Sequence, residues 1–137
     1  MEESAAVKDA ILRFYERFSA ADTDGFADII SEGPGVSVIG SGPGEGHGDR
    51  SEWISAYDTG IKAGIKLQGD DPRGYEEGSV GWGVDRPSFL LPDGSALRTR
   101  LTAVLRQDHD EWKIVHLHFS VGVPDEQAVE LAEGASS

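Results

Sequence analysis

The sequence predicts one α+β domain, a curved antiparallel sheet with N-terminal helices packed on its concave face. Three observations carry that prediction. Apolar residues over Val7–Phe18 and again over Trp53–Ile61 recur at three- and four-residue steps, the period of a helix with one buried face. From Ile65 onward the period changes to two, in runs separated by turn residues. Helices therefore come first and strands afterwards, which argues against alternating parallel units and for helices gathered on one side of a strand meander. Such a sheet under a helical lid encloses a cone, and the mouth of the cone is a natural ligand pocket.

Each element has a local cause. Ser4 can cap a first helix whose apolar face is Val7, Ile11, Phe14, Tyr15 and Phe18. A short second helix spans about Thr23–Ile30 and stops at Gly33-Pro34-Gly35. Val36–Ile39 is a brief β-rich run. Ser41–Gly48, with Gly42, Pro43, Gly44, Gly46 and Gly48, must be a loop. Asp49 or Ser51 can cap a third helix over about Arg50–Ala63, with Trp53, Ile54, Tyr57 and Ile61 on one side and Gly64 as its stop. Ile65–Gln68, Gly78–Phe89, Ser95–Gln107 and Glu111–Val121 then read as strands, with turns at Pro92-Asp93-Gly94 and Asp108–Asp110. Residues 1–3 and the tail after Pro124 are expected to be frayed or, in the tail, briefly helical.

Length and charge bound the function. The 137 residues suit a single domain, 1–137, with a core of its own. Cysteine is absent, which excludes disulfides, thiolate metal sites and cysteine nucleophiles. A formal charge of −13, from 25 acidic and 12 basic residues, opposes binding to nucleic acid or anionic membrane. The acidic start Met1-Glu2-Glu3 lacks the basic, then apolar, pattern of a secretory leader, and no apolar run is long enough to span a membrane. The expectation is a cytoplasmic protein.

The final strand carries the most information. Lys113, Val115, Leu117, Phe119 and Val121 alternate with Trp112, Ile114, His116, His118 and Ser120, and both sets are largely apolar or aromatic. Both faces should therefore be covered, most simply one by the helices and the other by a second subunit packed sheet to sheet. The run Arg100-Leu-Thr-Ala-Val-Leu105 followed by Glu111-Trp-Lys-Ile-Val-His-Leu-His-Phe-Ser120 resembles the closing hairpin of SnoaL-like domains, within the nuclear transport factor two superfamily. The Val-His-x-His-x-Ser core is also similar to the association domain of calcium/calmodulin-dependent protein kinase. The resemblance implies a cone-shaped half-barrel, usually a homodimer. The superfamily holds isomerases, dehydratases, cyclases and non-catalytic assembly modules, so the fold alone does not decide the function.

Residue by residue, ketosteroid isomerase chemistry is poorly matched. Its carboxylate base would fall near Val38, and strand Ser95–Gln107 has no second acid donor. The resemblance does place Tyr57 among pocket tyrosines. His116 and His118 lie on one face about 6–7 Å apart, too little by itself for a metal site, and no metal or cofactor is expected. By analogy with the kinase association domain, Leu117 and Phe119 point into the cone. His116 and His118 face either the pocket or a partner, depending on register. The candidate set is Tyr57 to polarise an oxygen and His118 to move a proton, with Phe14, Phe18, Trp53, Trp82, Leu117 and Phe119 around the ligand. Glu45 and His47, on the glycine-rich loop, are further proton carriers. The expected function is a homodimeric pocket protein for a small apolar or aromatic molecule, with cofactor-independent isomerisation, cyclisation or dehydration as its chemistry. A non-catalytic assembly module with a residual pocket is the competing account.

Overall fold

The computed structural model describes residues 1–136 apart from Pro43, so the loop residue Pro43 and the tail residue Ser137 lie outside the described residues. In chain order the elements are β1 (Glu2–Glu3), α1 (Ala5–Ser19), α2 (Thr23–Asp28), β2 (Ser37–Ile39), β3 (Gly46–His47), α3 (Arg50–Lys62) and β4 (Lys66–Gln68). They continue with β5 (Arg73–Glu77), β6 (Val80–Asp85), β7 (Ser88–Leu90), β8 (Ala96–Arg98), β9 (Arg100–Asp108), β10 (Glu111–Ser120) and α4 (Asp125–Ser136).

The helices start where capping chemistry allows. The Ser4 hydroxyl accepts the Val7 N–H at 3.1 Å, and the Asp49 carboxylate accepts those of Ser51 and Glu52. Beyond α3, Gly64 takes the left-handed φ of +84° that ends a helix cheaply. The inward face of α1 is Val7, Ala10, Ile11, Phe14, Tyr15 and Phe18, all buried.

Seven strands pair in the order β1-β5-β6-β9-β10-β2-β3, and β4-β7-β8 form a second, smaller sheet. The main sheet is curved and unclosed. It is not wholly antiparallel, because β2 runs parallel to β10. The two strands come from opposite ends of the chain, so no tight turn dictates their direction. Residues 1–3, expected to be frayed, pair through Glu2 and Glu3 with β5.

Three other departures from the sequence expectation matter for the site. First, β5 was not anticipated: Arg-Gly-Tyr-Glu-Glu puts Gly74 on the inward face, so no apolar alternation marks it. A Cβ on Gly74 would lie 2.6 Å from the Lys8 amide nitrogen, and one on Gly83 would overlap Ile11. The two glycines let α1 rest directly on the sheet and fill that half of the cone. Second, the expected strand Ser95–Gln107 is broken at Thr99, whose N–H and hydroxyl both donate to the Pro87 carbonyl, at 2.9 and 2.8 Å. Likewise Gly78–Phe89 divides into β6 and β7. The chain thus leaves the main sheet after Asp85 and rejoins it at Arg100, and β7 and β8 form the wall of the open half of the cone.

Third, β10 carries a bulge. Lys113 pairs with Arg106 and Ile114 with Leu105, but His116 pairs with Val104, leaving Val115 unmatched. The extra residue reverses the parity of the strand. Trp112, Ile114, Leu117 and Phe119 are therefore all inward and buried, and His116, His118 and Ser120 are outward. The two apolar faces inferred from strict alternation are one apolar face interrupted by a bulge, so that argument for a second subunit falls away. No helix among the described residues is long and apolar enough to cross a membrane.

Candidate functional site

The open half of the cone holds a cavity of about 410 Å³, within the range of small-molecule sites. Its floor is a chain of touching rings. Phe18 meets Tyr57 edge-on at 5.9 Å and Phe89 at 6.2 Å, and behind the lining Tyr57 stacks on the fully buried Phe26 (centroids 5.6 Å apart, planes at 13°). Phe89 in turn lies 5.1 Å from Phe119. Ile65, Leu91 and Leu97 extend the apolar wall on the side of the second sheet, and Ala56 and Gly60 do so on α3.

The polar groups lie on two adjoining elements. Tyr57 comes from α3. Ser41, Glu45 and His47 come from the β2–β3 hairpin, together with buried Val38. Paired residues on neighbouring strands share a face of a sheet. Val38 pairs with His47 and with Leu117, so the row His47–Val38–Leu117–Ala103 runs inward and brings the half-buried imidazole to the cavity. The loop expected over Ser41–Gly48 is thus closed by a two-residue strand at its end. Burial raises the pKa of the Tyr57 phenol, and the negative charge of Glu45 adds to the effect. The phenol therefore stays protonated at neutral pH.

The structure separates the residues expected to act together. Phe18, Tyr57 and Phe119 line the cavity. Phe14, Trp53 and Leu117 are fully buried behind it, and the Trp53 indole N–H has no hydrogen-bond partner among the described residues. Trp82 is on the outer face, 38% exposed and stacked 4.6 Å from Tyr75. His118 is exposed on that outer face beside Thr102, across the sheet from Tyr57. His116 is tied to Ser37, its Nδ1 lying 2.8 Å from the serine hydroxyl. Among the described residues no three histidine, aspartate or glutamate side chains gather as a metal site. Val38, Ile65, Phe89, Leu91 and Leu97 were not singled out from sequence. Phe89, Leu91 and Leu97 lie on or beside β7 and β8, which leave the main sheet because of the Thr99 break, and Val38 is placed by the pairing of β2 with β10.

The signature of the SnoaL-like domain matches residues 7–124. No curated protein matches the chain in sequence. Among solved structures, a nuclear transport factor two-like protein of unknown function from Pseudomonas putida is 13% identical, with 91% of this chain and 93% of that one covered at a TM-score of 0.76. A protein provisionally described as a dehydratase of the same fold family, from Streptomyces avermitilis, is 19% identical (87% and 96% covered, TM-score 0.74). A provisional calcium/calmodulin-dependent protein kinase type II association domain from Thiobacillus denitrificans is 17% identical (83% and 93% covered, TM-score 0.67). At these identities the structural likeness speaks for the fold.

Proposed function

The chain belongs to the SnoaL-like domain family, and we propose that its cavity binds a small apolar or aromatic molecule and transfers a proton on it without a cofactor. The observation that carries this reading is the ring-floored cavity with Tyr57 on one wall and Glu45 and His47 on the adjoining hairpin. The protonated Tyr57 hydroxyl donates to a ligand oxygen and stabilises negative charge that develops there. Glu45 or His47 takes the proton from, or returns it to, the neighbouring carbon, which is the step common to isomerisation, cyclisation and dehydration. In this reading His47 takes the role expected of His118, which lies on the other face of the sheet.

A thermal-shift panel of neutral one- and two-ring compounds tests the reading. A ligand present at one hundred times its dissociation constant stabilises a folded protein by about 2.7 kcal/mol, on the order of 10 °C for a domain of this size. Oxygen-bearing hits should weaken with Tyr57→Phe by roughly tenfold, the value of one buried hydrogen bond. A panel without any hit would sink the pocket reading.

We further propose a homodimer through the outer face of the main sheet. Support comes from Val80, Trp82, Val84 and Val104, each more than a third exposed on neighbouring strands β6 and β9. Sedimentation should find a dimer at micromolar concentration and a monomer for Val104→Glu. A wild-type monomer would refute it.

A further inference from the structure

We infer that the ligand of this cavity carries a cationic amine on its apolar body, and that Glu45 is the residue that selects it. The inference deepens the proposed small-molecule reading and rests on it. Among the residues lining the cavity, Glu45 is the one with a full negative charge, and none is lysine or arginine. Among the described residues no cation pairs with the Glu45 carboxylate. Asp58, by contrast, has Lys62 at 2.7 Å and Asp108 has Arg106 at 3.2 Å.

The hairpin is shaped around that carboxylate. A Cβ on Gly40 would overlap one Glu45 carboxylate oxygen, and a Cβ on Gly42 would lie 2.6 Å from the other. The loop is closed by backbone bonds on both sides of the acid, Gly40 N–H to Glu45 O at 2.7 Å and Glu45 N–H to Gly42 O at 3.2 Å. Any side chain at either glycine would displace the acid from its place against the backbone. The carboxylate is close enough for its charge to act on the Tyr57 hydroxyl. Ring floor, phenol and unpaired carboxylate together suit a flat apolar body with a protonated amine at the rim. A carboxylate or phosphate ligand would meet like charge with no lysine or arginine among the described lining residues to offset it.

Three probes of matched shape test this at pH 7 by calorimetry: 2-naphthol (neutral), 2-naphthylmethylammonium and 2-naphthoate. Glu45 is exposed at the rim, so its attraction for the cation and repulsion of the anion are each modest, and together they should separate the two charged probes by about tenfold. Glu45→Gln keeps the shape of the side chain and should collapse that ratio to below about threefold. Equal or tighter binding of 2-naphthoate by the wild type overturns the inference. So does a tenfold ratio that survives Glu45→Gln, since it would then come from the net charge of −13. If 2-naphthol binds while the charged probes are not distinguished, this inference alone fails. If none of the three binds at millimolar concentration, the pocket reading fails with it.

Discussion

Replacing Asp85 with alanine should cost roughly 4 kcal/mol, a large part of the 5–15 kcal/mol that holds a domain of this kind together. Asp85 is 5% exposed and accepts from three donors: the Tyr15 hydroxyl at 2.8 Å and the backbone N–H groups of Asp71 at 2.9 Å and Asp70 at 3.3 Å. Alanine would remove the acceptor and leave all three donors behind. The buried Tyr15 hydroxyl, left unsatisfied, costs about 1–3 kcal/mol, and the N–H groups of the exposed residues Asp70 and Asp71, which water can reach, add about 1 kcal/mol each for the lost bonds. Tyr15 cannot relieve its loss by ionising, because burial, the largest cause of its raised pKa, persists when Asp85 is gone. Tyr15→Phe should be much milder, about 1 kcal/mol, since the carboxylate keeps its two backbone donors. Chemical denaturation of the three proteins measures both values. A loss below 1 kcal/mol for Asp85→Ala would show that the cluster is not an anchor.

The position of Asp85 gives that loss a functional side. It is the last residue of β6, where the chain leaves the main sheet to build β7 and β8. Thr99, 1% exposed, fixes the return point through its two bonds to the Pro87 carbonyl. These two clamps hold the second sheet in place, and that sheet carries Phe89 and Leu97 of the cavity wall.

These clamps also mark where sequence reading stops. The helices were legible because a buried face and a capping residue leave a local trace, as Ser4 and Asp49 do. The hairpin from β9 to β10 was legible because Leu101, Ala103 and Leu105 alternate cleanly and the chain reverses at His109-Asp110. Both turn residues have positive φ, 53° and 66°. The bulge at Val115 left no such trace. Every residue from Trp112 to Ser120 tolerates a strand, and valine itself favours one. Only tertiary pairing reveals it: β10 meets Ile29–Ser31 before the bulge and β2 after it. One uncounted residue therefore misassigned half of the strand and gave the chain a second apolar face it does not have. The break at Thr99 was hidden for the same reason, since threonine is a good strand residue whose hydroxyl was recruited elsewhere. Glu45 and His47 were visible as proton carriers on a loop at the rim of the cone, but the inward direction of His47 was not, because it follows from its pairing with Val38.

Gly60→Leu should abolish ligand binding, at least a hundredfold, without weakening the fold. Gly60 lies inside α3 and lines the cavity, and a Cβ there would meet Phe18 at 3.7 Å and Ile65 at 3.8 Å, ordinary packing distances. The backbone gains, since leucine is favoured over glycine in a helix interior by roughly 0.8 kcal/mol. The added isobutyl group buries apolar surface against rings that now face an open cavity, which adds stability. The same atoms occupy the space where a ligand ring would lie over Tyr57 and Phe18. The variant therefore separates the two accounts of this protein. In a pocket protein it is more stable than wild type yet no longer stabilised by any probe that binds wild type. In an assembly module its dimer, and whatever depends on the dimer, is unchanged, because the outer face bearing Trp82 and Val104 lies across the sheet from the substitution. Binding that survives Gly60→Leu at wild-type affinity would place the ligand outside the cone.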